Sequence, residues 1–120
     1  MQKKIATLEI WYDSANVASG SGRRSDGTYR ITMTPGGDIP IDTRDKFQTA
    51  LAHELGHFVA LLTKDETHDP ANWFYHRLTG DSSSLIPGEL KAWKLAKEIS
   101  PDLDKTFERE CIASYERNAQ

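Results

Sequence analysis

The sequence predicts an α+β fold in one domain spanning residues 1–120, and three observations carry that prediction. Strand-forming residues gather in the N-terminal third. Helical periodicity governs most of the remainder. The length of 120 residues suits one domain and not two. Charged residues make up 28% of the chain and apolar residues 38%, the balance of a globular protein rather than a disordered one.

The first strand is read at Ile5–Tyr12, where Ile5, Thr7, Leu8, Ile10, Trp11 and Tyr12 concentrate β-forming side chains. Asp13–Gly27 is rich in small and polar residues and reads as a loop, with Arg23-Arg24 at a solvated tip. The alternation Tyr29-Arg30-Ile31-Thr32-Met33-Thr34 predicts a half-buried strand, and Pro35-Gly36-Gly37 stops it. The expected sheet is small and antiparallel or mixed.

A helix follows, with Asp42 or Thr43 as its cap and Asp45 in its first turn, where negative charge is favoured. Phe47, Leu51, Leu55, Phe58 and Leu62 step by three or four and form one apolar stripe. At 100° per residue, that stripe points roughly 140° away from His53 and His57. The stripe is therefore expected to face the core and the histidines a cleft.

Beyond it, His68-Asp69-Pro70 reads as a turn, Trp73–Leu78 as a short helix or aromatic anchor, and Gly80–Ser84 as a flexible loop. A helix is expected over about Glu89–Ile99, and another with Ser100 as N-cap and Pro101 at its first position. Leu103, Phe107, Cys111 and Tyr115 repeat every four residues as its core stripe, and Trp11, Trp73 and Trp93 are assigned to the core.

Charge and composition narrow the function. A net charge of −3 gives no electrostatic case for nucleic acid. Cys111 is the sole cysteine, which excludes an internal disulfide and fits a reducing compartment. Glu9 and Asp13 interrupt the apolar run near the N-terminus, so no signal peptide or membrane span is read, and a cytoplasmic location is expected.

His53-Glu54-Leu55-Gly56-His57 matches H-E-x-x-H. Residues four apart on a helix project side by side, so two imidazoles can grip one zinc ion. The intervening glutamate lies about 100° from the first histidine and is placed to work on water as a general base. In a shuffled chain of this composition the pattern arises only about once in a hundred.

The third ligand is open on this reading. Ala60 and Thr63 stand where the longer H-E-x-x-H-x-x-G-x-x-H pattern needs Gly and His, which excludes that arrangement. A glutamate from a later helix is the other solution, and Glu89 fits it. His68, Asp69, His76 and Asp81 are the alternatives. Two histidines and a carboxylate also suit iron. His68, Tyr75, His76 and Tyr115 have the chemistry to donate to a developing oxyanion.

The strand pair, the H-E-L-G-H helix and the later E-x-x-A-W-x-x-A segment (Glu89, Ala92, Trp93, Ala96) together resemble the gluzincin-type minimal metallopeptidases. These include the ImmA/IrrE group and related small phage or prophage zincins. The resemblance covers about residues 29–100. It implies a zincin-like fold with an edge strand, Tyr29–Thr34, lying over the active-site helix and pairing with an extended substrate. It implies Glu89 as the third zinc ligand beside His53 and His57, and Glu54 as the catalytic base. The expected activity is zinc-dependent hydrolysis of protein or peptide substrates, by an endopeptidase rather than an exopeptidase. The competing expectation is a non-enzymatic protein of the same fold with a vestigial or stabilising metal site. An intact Glu54 argues against that, because a structural site needs no base.

Overall fold

Residues near the N-terminus pair into a mixed three-stranded sheet in the computed structural model, which describes residues 7–12, 20–23, 28–34 and 39–118. The strands are β1 (Thr7–Tyr12), β2 (Gly20–Arg23) and β3 (Thr28–Met33). β3 is central, parallel to β1 and antiparallel to β2, with Leu8 opposite Tyr29, Ile10 opposite Ile31 and Gly20 opposite Thr32.

Two expectations are corrected here. β2 falls inside the stretch expected to be a loop. Gly20, Ser21 and Gly22 have little strand propensity, but only four residues separate β2 from β3, so hairpin proximity overrides local preference. The strand expected at the sheet edge is the middle one, because β1 and β2 both pair with it. Ile5, residues 13–19 and 24–27 of the loop (Arg24 among them) and Pro35-Gly36-Gly37 lie outside the described residues, as do the side chains of Trp11 and Arg23.

The alternation read in β3 holds: Tyr29, Ile31 and Met33 are buried, and Thr28, Arg30 and Thr32 are half-buried. β1 is covered less well. Leu8 and Ile10 share a face with Tyr29 and Ile31, yet remain 39% and 54% exposed. On the other face, Glu9 pairs with Arg30 at 3.5 Å.

The helices are α1 (Arg44–Leu62), α2 (Pro70–Thr79), α3 (Ile86–Ile99) and α4 (Lys105–Asn118), with 3-10 turns at Glu66–His68 and Ser82–Leu85. Thr43 caps α1, its hydroxyl accepting from the Lys46 amide at 3.2 Å. α1 lies between the sheet and α3 and uses two different faces. Toward the core cluster it presents half-buried Leu51, Leu55 and Phe58, and Phe58 meets Tyr29 with ring centroids 4.8 Å apart. Phe47 and Leu62, at the ends of the expected stripe, are 40% and 52% exposed.

The more completely buried face carries Thr49, Ala52, His53, Gly56 and Ala60. Its residues are small because α3 comes close: a Cβ on Gly56 would collide with the Ala92 carbonyl. Hydropathy marks the large residues of a helix. Close helix packing instead selects small ones, which is why this face was not read as the tighter interface.

Several features of the C-terminal half differ from expectation. Asp69 caps α2, with Pro70 in its first turn. Trp73 of that helix is 48% exposed and is not a core residue. Ser82–Leu85 is a 3-10 turn capped by Asp81 rather than an irregular loop. α3 begins at Ile86, three residues before Glu89. Ser100 ends α3 instead of starting α4, whose start is set by Asp104: its carboxylate accepts from the Phe107 amide at 2.9 Å. The Asp104 amide donates to Thr49 Oγ1 at 2.7 Å, pinning the start of α4 to α1. Leu103 and Phe107 are buried and Cys111 and Tyr115 half-buried, as the four-residue repeat implies. No helix among the described residues is long and apolar enough to cross a membrane.

Candidate metal centre

His53 and His57 leave α1 on adjacent turns and face the first turn of α3, where Glu89 projects between them. Glu89 Oε2 lies 3.0 Å from His53 Nε2 and 3.2 Å from His57 Nε2. One ligand atom from each of the three residues falls within 4.8 Å of the other two. Atoms about 2.1 Å from one tetrahedral zinc ion stand about 3.4 Å apart, so the spacing fits a shared ion. Among the described residues this is the one cluster of metal-ligating groups so arranged.

The buried His53 Nε2 lacks a hydrogen-bond partner, even though the Glu89 oxygen is near. The separation is short, but the alignment is wrong for donation. A nitrogen aimed at a carboxylate without bonding to it is the arrangement expected where both atoms serve a third centre. Two imidazoles and a carboxylate are a donor set able to hold a divalent metal ion.

Electrostatics act on the same three groups. Burial lowers the His53 pKa, but its contacts with Glu54 and Glu89 outweigh that and push it up to about 9. Burial raises the Glu89 pKa, yet the two histidines hold the carboxyl well below the usual carboxylate range. Both shifts favour positive charge beside the Glu89 carboxylate at neutral pH.

The E-x-x-A-W segment explains how α3 supports the site. Ala92 and Ala96 are fully buried, and Ala92 meets Gly56. Trp93 stacks on His53, with ring centroids 4.3 Å apart and planes inclined by 17°. Its Nε1–H donates to Tyr115 Oη at 3.0 Å. Burial and the Glu89 carboxylate push the Tyr115 hydroxyl up, so it keeps its proton.

Glu54 is buried and stands outside the ligand cluster. Its Oε1 lies 3.6 Å from His53 Nδ1, the ring nitrogen other than the one facing Glu89.

The alternative ligands are accounted for individually. Asp69 accepts from the Ala71 amide and Asp81 from the Ser83 amide and hydroxyl, so both are committed to caps. His76 lies on α2 outside the cluster, with a buried Nδ1 that has no partner. His68 is beside the site but touches His57 rather than sharing its ligand position: His57 Nδ1 and His68 Nε2 are 2.8 Å apart. Of the oxyanion candidates, Tyr75 is 49% exposed on α2, whereas Tyr115 is half-buried on α4, its Oη accepting from Trp93 Nε1.

Asp65 and Thr67 were not singled out from the sequence. Thr67 Oγ1 lies 3.0 Å from His68 Nδ1 and donates to Asp65 Oδ1 at 2.5 Å. The signal was the short D-x-T-H run of Asp65–His68, which has no meaning until folding places it beside His57. Comparison with known proteins gives no match to a family, a curated sequence or a solved structure.

Proposed function

We propose that this chain is a minimal gluzincin-type zinc metallopeptidase, with His53, His57 and Glu89 as metal ligands. The convergence of their three ligand atoms from two helices is the observation that carries the reading. The chemistry supplied by zinc in such a site is Lewis acidity, which acidifies water and polarises a peptide carbonyl.

The chain's own groups supply the rest. Glu54 takes the proton from the attacking water on its carboxylate and returns it to the leaving amine. Trp93 holds His53 flat against α3, and Glu89 stays ionised between the histidines. Tyr115, still protonated, is the candidate donor to the developing oxyanion. Protein or peptide is the proposed substrate class, and a cytoplasmic location fits the unpaired Cys111.

The position of Glu54 favours a second reading. Its carboxylate sits by His53 Nδ1, where it would orient the ring in a site that binds metal without catalysis. Glu54→Gln separates the two. It retains shape and hydrogen bonding but cannot accept a proton. As a base, Glu54 is worth a factor of about 10² to 10⁴ in rate. The peptidase reading predicts that the variant keeps its zinc and loses nearly all cleavage of a peptide library. Cleavage at the wild-type rate contradicts it, and a broad library left uncut by the wild-type protein supports the non-catalytic site.

A further inference from the structure

The hydrogen-bond chain behind His57 runs in one direction only, and its direction follows from Asp65. An ionised carboxylate only accepts. Asp65 is kept ionised by donation from the Thr67 hydroxyl and amide, and Lys91 Nζ stands 3.4 Å from its Oδ2. The Thr67 hydroxyl has a single hydrogen and gives it to Asp65. Toward His68 Nδ1, 3.0 Å away, Thr67 Oγ1 can therefore only accept.

His68 thus carries its proton on Nδ1. A neutral imidazole protonated on Nδ1 leaves its Nε2 a bare acceptor. His57 must then donate from Nδ1 across the 2.8 Å contact. What remains on His57 Nε2 is a lone pair, 3.2 Å from a Glu89 carboxylate oxygen. Two acceptors at that distance repel unless a proton or a metal cation lies between them.

We propose that Asp65, Thr67 and His68 are positioning residues that lock His57 in its Nδ1–H tautomer and aim its Nε2 lone pair at a divalent cation shared with His53 and Glu89. The proposal rests on the reading of that triad as a metal site. The local fold supports it independently. The turn bearing the relay packs on the first turn of α3 because Gly88 has no side chain: a Cβ there would stand 2.9 Å from the Thr67 carbonyl oxygen. Gly88 immediately precedes Glu89, so one close contact sets the relay and the third ligand against each other.

The test is zinc affinity, measured by chelator competition on the full chain. Loss of a group that orients a ligating histidine typically costs 10- to 100-fold in metal affinity. His68→Ala is expected to fall in that range, Thr67→Val to lose about tenfold, and Thr67→Ser to restore wild-type binding. The relay also predicts non-additivity: once His68→Ala has cut the chain, adding Thr67→Val costs nothing more. Nitrogen-15 spectra of the histidine rings should show His68 protonated on Nδ1 and bare on Nε2. Wild-type affinity in a folded Thr67→Val, an additive double variant, or the opposite His68 tautomer overturns the relay while leaving the metal site standing. Absence of zinc binding by the wild-type protein overturns the metal reading and the relay with it.

Discussion

His53 and His57 stand one turn apart on the same helix, yet they are held by opposite kinds of neighbour. His53 is 8% exposed and lies flat on Trp93, in the small-residue face where α1 meets α3. Its position is set by shape and by the main helix–helix contact of the fold. His57 is less buried and is held from behind by polar atoms of a short 3-10 turn. One histidine is thus tied to global stability, whereas the other depends on a local element that can change without unfolding the protein. Such a division makes the two halves of the site separable by mutation.

The largest effect is expected at Trp93. Removing a buried tryptophan costs about 3–5 kcal/mol. Trp93→Ala should therefore lower the unfolding midpoint of the metal-free protein steeply and weaken zinc binding with it. His68→Ala should weaken zinc binding with little change in the midpoint. Equal loss of stability in the two variants would erase the contrast.

Gly56→Ala comes next. Its new methyl meets the Ala92 carbonyl, and overpacking of this kind costs about 1–3 kcal/mol. Urea unfolding reads the cost directly, and an unperturbed midpoint would show that α1 and α3 are not in the contact described.

Smaller still is Asp69→Ala, which removes the α2 cap at a cost of ~1 kcal/mol. Zinc content should be unchanged, since this carboxylate serves a helix end. A loss of zinc in the folded variant would return Asp69 to the ligand set.

The pH dependence sharpens the same contrast on the His53 side. A histidine raised in the folded state adds stability in full below its unfolded pKa of 6.5 and loses it as pH rises through about 9. Glu89 has the opposite sign: its depressed pKa adds stability above the unfolded value of 4.5, and this fades as pH falls below it. In a chelator, the melting temperature should therefore be highest between about pH 4.5 and 6.5 and decline toward pH 9. His53→Gln should flatten the alkaline decline. A wild-type profile that is flat from pH 6 to 9 would contradict the ion pairing of His53.

The legible part of the molecule was local chemistry. H-E-L-G-H is complete in five residues, and Glu89, Ala92 and Trp93 lie on one helical face, so both halves of the candidate cluster are visible in the sequence. The illegible parts depend on partners distant in sequence. β2 exists because β3 supplies its hydrogen bonds, and Trp73 looked like a core residue because its side chain is large and aromatic. The cap of α4 shows the same limit. Ser100-Pro101 is a good start signal, but Asp104 also bonds to Thr49 on α1, and that tertiary tie fixes the boundary. Asp65 and Thr67 acquire meaning only when Gly88 lets their turn settle against α3.

The central claim is that His53, His57 and Glu89 share one divalent ion. Metal analysis of the purified protein, alongside His57→Ala and Glu89→Ala, tests it most directly. The account predicts close to one equivalent of zinc per wild-type chain and little in either folded variant. Wild-type zinc content in both variants would contradict it.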